Sequence, residues 1–298
     1  MEKKLGLDQQ SQEEIVKRER KANSAWNKLK RNKTAMMGLV VICIMVLGAL
    51  LAPVITGGKP NEIHPVDAYL KFFEKGHIFG TDEFGRDLFT RICYGARVSL
   101  LVAVGATIVG GFFGVALGLI SGYAGGVIDS VIMRIMDGLL AFPFILMSII
   151  LMTVLGSGIF NVILAIGIAE IPRFARVVRG QVLIVKQEEY CNAGKVIGIS
   201  HPRMVIFHIL PNTVSEVIVY ATLNIASAII SEASLSFLGL GIELPTASWG
   251  SILRSGRDCL NTAPHIAAIS GLFILLTVIG FNLLGDGIRD VLDPKMKK

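Results

Sequence analysis

Long uncharged blocks alternate with short charged ones along this chain. Residues 36–55, 98–120 and 266–285 contain no Asp, Glu, Lys or Arg, and 217–231 is a further apolar block bounded by Glu216 and Glu232. Crossing the hydrocarbon core of a bilayer as a helix takes ~20 mostly apolar residues. The uncharged run 138–169 is too long for one crossing, and Gly156-Ser157-Gly158 in its middle supplies the polar turn of a helical hairpin. The pattern predicts an all-α polytopic membrane protein with six spanning helices. One lies at 36–55; the other five form a core, 98–288, with helices at 98–122, 130–155, 159–179, 214–236 and 266–286. A leader (1–35), a connection (56–97) and a tail (289–298) complete the division. The connection is long and rich in turn residues, so it is expected to fold on the membrane surface.

Composition agrees with a bilayer as solvent: of 298 residues 52% are hydrophobic and 17% charged, with a mean hydropathy of +0.62. The net charge of +6 raises the question of nucleic acid, and the placement of the cations answers it. With the N-terminus inside, the inner segments hold ten Lys and Arg (1–33), one (Arg134), six (173–203) and four (289–298). The outer segments hold six (56–97) and two (239–265), so 21 of the 29 lie inside. That bias is the positive-inside signature and puts both termini in the cytoplasm. The basic balance is thus spent on topology, and nucleic-acid binding is not indicated. The first apolar block begins too late for a cleaved secretory signal and reads as a retained anchor helix.

Within the leader, Trp26, Leu29 and the cluster Lys28, Lys30, Arg31 and Lys33 form either an interfacial elbow or a solvated segment that sets orientation. Glycines at 110, 114, 118, 122 and 126, all four apart, line one face of the second span and allow another helix to approach closely. No phosphate-cradling GxxxxGK[ST] sequence occurs; Gly194-Lys195 is followed by Val196. Any ATP chemistry must come from another polypeptide. Cys43, Cys93, Cys191 and Cys259 show no ligand spacing and read as free thiols, although Cys93 and Cys259 share the outer side.

Ionisable residues inside a span mark function by default. Glu170, Pro172, Arg173, Arg176 and Arg179 begin eleven residues after the hairpin turn. Glu170 is therefore either a pathway residue or one half of an i, i+3 pair with Arg173. Asp129, Arg134 and Asp137 cluster at the inner end of the third span, where Arg134 and Asp137 can pair and anchor the helix end, with Pro143 further along as a kink. Glu232 bounds the apolar block 217–231. A stand-alone secondary transporter would use Glu170 or Glu232 as its coupling site.

The segment 188–212 is cytoplasmic but too apolar for a solvated loop. Residues 192–197 read as a short helix, Gly198 as its C-terminal stop, and Ser200-His201-Pro202 as the start of a second helix running to Pro211. Such an elbow, presenting Ala193, Gly194 and Val196 outward, is a lever that fits a groove on another protein; the alternative is an amphipathic helix lying on lipid. His201, His208 and Cys191 invite a metal site, but three or four convergent ligands are needed and no further pair is near, so none is assigned. No catalytic constellation is visible, and the chain is not expected to be an enzyme.

The stretch 194–212, with Gly198 and the ending His208-Ile-Leu210-Pro211-Asn212, resembles the coupling loop of binding-protein-dependent ABC importer permeases. Three further motifs resemble the dipeptide, oligopeptide and nickel permeases, in their second, C-type subunit. They are Gly80-Thr81-Asp82-Glu-Phe-Gly85-Arg86-Asp87, the run Ser-Glu232-Ala-Ser-Leu-Ser-Phe-Leu-Gly-Leu-Gly241, and the run from Phe281 to Pro294; Arg134 to Pro143 fits the same pattern. The resemblance implies a type I importer membrane domain with a coupling helix at 190–204, which would sit in a cleft of an ATPase subunit. It implies a homologous second permease, two ABC ATPase subunits that carry the ATP and magnesium, an extracytoplasmic binding protein, and a peptide, nickel-complex or glutathione substrate. The family's loop opens with Glu-Ala-Ala, whereas this chain has Asn192-Ala193-Gly194, so an acidic contact is lost or is supplied by Glu188 or Glu189.

Overall fold

A computed structural model describes residues 25–292. The outer parts of the leader and tail, 1–24 and 293–298, lie outside the described residues. Helices run as α1 (Ala25–Arg31), α2 (Lys33–Ile55), α3 (Leu88–Ala124), α4 (Gly126–Leu140), α5 (Phe144–Leu155), α6 (Ile159–Val185), α7 (Glu189–Val196), α8 (His201–Met204), α9 (Leu210–Phe237), α10 (Trp249–Asp258) and α11 (Pro264–Leu292). Among the described residues there is no strand beyond an isolated bridge between Thr81 and Asp87.

Helices α2, α3, the continuous run His201–Phe237 and α11 are each long and apolar enough to cross a membrane. The bent pair α4–α5 makes a fifth crossing when taken as one span. The sixth is α6, whose charges at Glu170, Arg173, Arg176 and Arg179 disguise it by composition. It returns along α3 in backbone contact: a Cβ on Gly114 would lie 2.3 Å from Phe174 Cβ and 2.9 Å from the Ile171 carbonyl oxygen, and one on Gly118 would lie 2.6 Å from that of Ala175. Small residues of this kind let spanning helices gain van der Waals contact where the hydrophobic effect is absent. The stripe ends at Gly122. Gly126, expected to extend it, has open space around it, because Gly125 and Gly126 both take positive φ and turn the chain into α4.

The single helix expected at 130–155 is instead two helices meeting at 89°. Pro143 sits in extended conformation just before α5; without an N–H, and with its ring restricting Phe142, it cannot continue α4. Conversely, the break expected at Pro211 is absent. Val205–Ile209 forms a widened π turn in which the Leu210 N–H donates to the Val205 carbonyl, and Pro211 falls in the first turn of α9, where a missing N–H costs little. The Asn212 amide donates to the His208 carbonyl at 2.7 Å.

The first and last spans meet on the cytoplasmic side. The Asn32 side chain caps α2 through the Thr34 and Ala35 N–H groups and donates to Asp290 at 3.2 Å. Both described ends therefore lie on one face of the membrane.

Candidate functional site

The cytoplasmic elbow is α7, the Gly198 turn and α8. Gly198 adopts φ +80, and the chain closes α7 by donating from Ile199 N–H to the Gly194 carbonyl at 3.0 Å. This is the left-handed stop that glycine takes without steric cost. Cys191, Met204 and Ile209 from the elbow region pack with Leu119 of α3 and Val178, Val182 and Val185 of α6 in one buried cluster. The elbow is thus a bracket fixed to the inner ends of two spans. Its tip is apolar and bare: Val196 is 87% and Ile197 76% exposed. Asn192, Ala193, Glu188 and Glu189 are exposed beside it, as are Pro211 and Asn212 at the far end, with His208 and Leu210 half-buried.

Gly194 corrects the sequence reading. It points inward, not outward: a Cβ there would come 2.4 Å from Met204 Cε. It sits where the two arms of the elbow pack together. His201 and His208 do not converge with Cys191. His201 Nδ1 pairs with the Tyr123 hydroxyl at 2.6 Å, His208 Nδ1 faces the Arg203 carbonyl at 3.4 Å, and Cys191 is buried.

Inside the bundle, Glu170 is 1% exposed and accepts from Arg173 Nη1 at 2.8 Å. Gly110 of α3 lies directly on it, a Cβ there falling 2.9 Å from Glu170 Cβ. The Arg173 guanidinium, 41% exposed, lies over the Phe144 ring at the start of α5. Asp137 pairs with Arg176 of α6 at 2.6 Å, in place of the expected Arg134. Asp129 takes a two-pronged bond from Arg179, both arms 2.6 Å. Three arginines one turn apart on α6 thus hold Glu170 within the helix and α4 beside it. Glu232 is fully buried and accepts from Ser99 and Ser236 hydroxyls, each at 2.8 Å. Ser99 in turn accepts from Trp249 N–H at 3.1 Å, and Trp249 Nε1 donates to the Ile92 carbonyl at 3.2 Å. Ser236 follows Glu232 by one helical turn, a spacing that pairs them, whereas Ser99 and Trp249 carry no sequence signal that would bring them to Glu232.

The outer motif folds on itself. Asp82 is buried and accepts from Arg86 Nε at 2.6 Å, with Arg91 Nε at 3.3 Å. Asp87 caps α3 through Thr90 N–H at 2.7 Å and meets His77 at 2.8 Å. Thr81 bonds the Leu70 N–H. Gly85, at φ +73, leaves no room for a side chain: a Cβ would stand 1.8 Å from the His64 carbonyl oxygen. Gly80 lies as tightly under Leu70. On the rim, the hydrogen bond from Lys75 holds the Asp67 carboxyl below its ordinary value and raises the lysine in turn.

Comparison with known proteins decides the family. Residues 114–298 match the model described as binding-protein-dependent transport system inner membrane component, and 22–71 match the N-terminal TM domain of oligopeptide transport permease C. The chain is 45% identical over 273 residues to a dipeptide transport system permease of Alkalihalophilus pseudofirmus, covering 92% of this chain and 90% of that one. It is 44% identical to a glutathione transport system permease of Escherichia coli over 91% of this chain and 90% of that one. A putative peptide transport system permease of Brucella abortus is 42% identical over the same shares. The chain belongs to the family of binding-protein-dependent transport permeases.

It is an inner-membrane, multi-pass component of such a system. The family's core match begins in the middle of α3 and includes the elbow, and its N-terminal match takes in α1 and α2. The outer motif at 80–87 falls between the two.

Proposed function

We propose that this chain forms half of the pathway of an ATP-driven importer for di- or oligopeptides, with a homologous second permease forming the other half. Two ATPase subunits that bind ATP and magnesium would engage the elbow, and an extracytoplasmic binding protein would deliver peptide to the face built by 56–87 and α10. The observation that carries the reading is the elbow itself: a bare apolar tip at Val196 and Ile197, held by a buried cluster to α3 and α6. Water-exposed apolar side chains on a rigid bracket need a partner. Peptide as cargo rests on the names of the relatives at 45% and 42% identity; glutathione, itself a small peptide, is the alternative the 44% relative supports, and nickel complexes a third within the group.

A stand-alone secondary transporter is disfavoured by Glu170 and Glu232, which are enclosed by the chain's own helices and face no opening. The deciding experiment reconstitutes the complete transporter and replaces Val196 with Asp. The expected result is ATPase activity without uptake, or loss of ATPase attachment. Undiminished, ATP-dependent uptake would refute the role of the elbow, and transport by the chain alone under an ion gradient would refute the importer reading. A ligand screen on the cognate binding protein identifies the cargo.

A further inference from the structure

Between the elbow and the inner ends of α3 and α6 lies an open cavity of about 730 Å³. Its polar wall is made by Tyr123, Lys186, Gln187, Asn192, Lys195 and His201. Every ionisable group on that wall is a potential cation or a neutral donor, and no carboxylate lines it. Lys186 spends one N–H on the Gly122 carbonyl at 2.8 Å and keeps two. Lys195 lies exposed, and among the described residues it makes no ion pair. His201 Nδ1 pairs with the Tyr123 hydroxyl at 2.6 Å, so its Nε2 is a donor when that hydroxyl donates or when the ring is protonated. Gln187 and Asn192 add amide N–H groups. Tyr123 lies in the last turn of α3 and Lys186 caps the end of α6, so the cavity lies at the cytoplasmic ends of these two helices. Asn192 contributes an uncharged amide to this wall.

We propose that this cavity binds a phosphate-bearing anion, one whose phosphate is held by Lys186, Lys195 and His201 between the elbow and the spans. The class includes the headgroup of an anionic phospholipid and free phosphate. Basic pockets at the cytoplasmic ends of spanning helices suit such headgroups, and multiple N–H donors around a phosphate give charge-assisted bonds. An anion there bridges α7 and α8 to α3 and α6 and braces the elbow. The inference concerns this chain alone and does not depend on the transport reading, so failure of the uptake experiment leaves it standing.

The test uses the full chain in detergent micelles, titrated with short-chain phosphatidylglycerol, phosphatidylcholine or inorganic phosphate and read by native mass spectrometry. Phosphatidylglycerol is expected to bind on the order of tenfold more tightly than phosphatidylcholine, and Lys186→Gln with Lys195→Gln to remove that preference. Asn192→Glu is expected to weaken binding several-fold, while Lys59→Gln in the outer loop leaves it unchanged. Competition by inorganic phosphate identifies a general phosphate site; its absence identifies the lipid headgroup as the occupant. Lys186 also holds the end of α3, so Lys195→Gln and Asn192→Glu, both at exposed positions, decide the matter if Lys186→Gln lowers the melting temperature. The proposal is overturned if inorganic phosphate does not bind and phosphatidylglycerol binds no more tightly than phosphatidylcholine, or if these variants bind either ligand as the wild type does.

Discussion

Gly194 and Met204 touch where the two arms of the elbow cross, closely enough that a Cβ at 194 would fall 2.4 Å from Met204 Cε. The obstructing atom is the far end of a flexible side chain, so the response should grade with size. Gly194→Ala is expected to be near neutral, since a helix gain of up to ~1 kcal/mol offsets a small shift of the thioether. Gly194→Leu is expected to spread the arms and lower uptake per ATP hydrolysed in the reconstituted complex. Equal ratios for the two variants would show that the crossing does not matter to coupling.

Gly114 faces rigid neighbours instead. Its Cβ would strike Phe174 Cβ at 2.3 Å and the Ile171 carbonyl at 2.9 Å. Gly114→Ala should destabilise the detergent-solubilised protein by ~1–3 kcal/mol as α3 and α6 are forced apart. Gly48, in the interior of α2 with nothing within 4 Å, serves as the control. Gly48→Ala should leave the melting temperature unchanged or raise it.

Glu232 separates charge from hydrogen bonding. Glu232→Gln keeps an acceptor for one serine and offers a donor to the other, whose hydroxyl can turn to accept. Glu232→Ala leaves Ser99 and Ser236 without their acceptor, at ~1–3 kcal/mol for each stranded group. Thermal unfolding should therefore rank wild type and Gln close together and Ala well below. If Gln melts as low as Ala, the ionised carboxylate itself is what the fold requires.

Asp129 and Arg179 form the best-aligned pair on the α4–α6 seam. A double-mutant cycle with Asp129→Asn and Arg179→Gln should return a coupling of about 1 kcal/mol, given that both groups are partly sheltered. A value near zero would mean that this pair does not help to hold α4 against α6.

At the outer face, Gly85→Ala combines φ +73 with a Cβ placed 1.8 Å from the His64 carbonyl oxygen. Segment 56–87 should then become susceptible to protease while the spans stay folded. Protection equal to wild type would show that the outer fold tolerates a rearranged turn.

Much of this was legible in the chain. Blocks without charge located the spans, because bilayer solvation penalises every ionisable group in them, and the four-residue glycine period marked the face of α3 on which another helix packs. Gly198 revealed the elbow's stop and Pro143 a kink in the third span, since each has a fixed backbone consequence. What stayed hidden depended on meetings across the fold. Pro143 signals a kink but not an 89° turn, and it says nothing of the Asp129–Arg179 and Asp137–Arg176 pairs that join α4 to α6. Gly194 looked like a surface residue because helical spacing cannot say which face Met204 will cover. Glu232 gave no hint of Ser99, 133 positions away.

With 37 residues, α3 is about 55 Å long, far more than the ~30 Å of hydrocarbon it must cross. It begins at the cap made by Asp87 and carries in its last turn Tyr123, hydrogen-bonded to His201. The folded outer motif and the cytoplasmic elbow are therefore mounted on opposite ends of one unbroken beam, stiffened along its inner half by α6. A tilt of that beam displaces both ends at once, so news of a docking event outside can arrive inside as geometry, with no relay of side-chain rearrangements through the membrane.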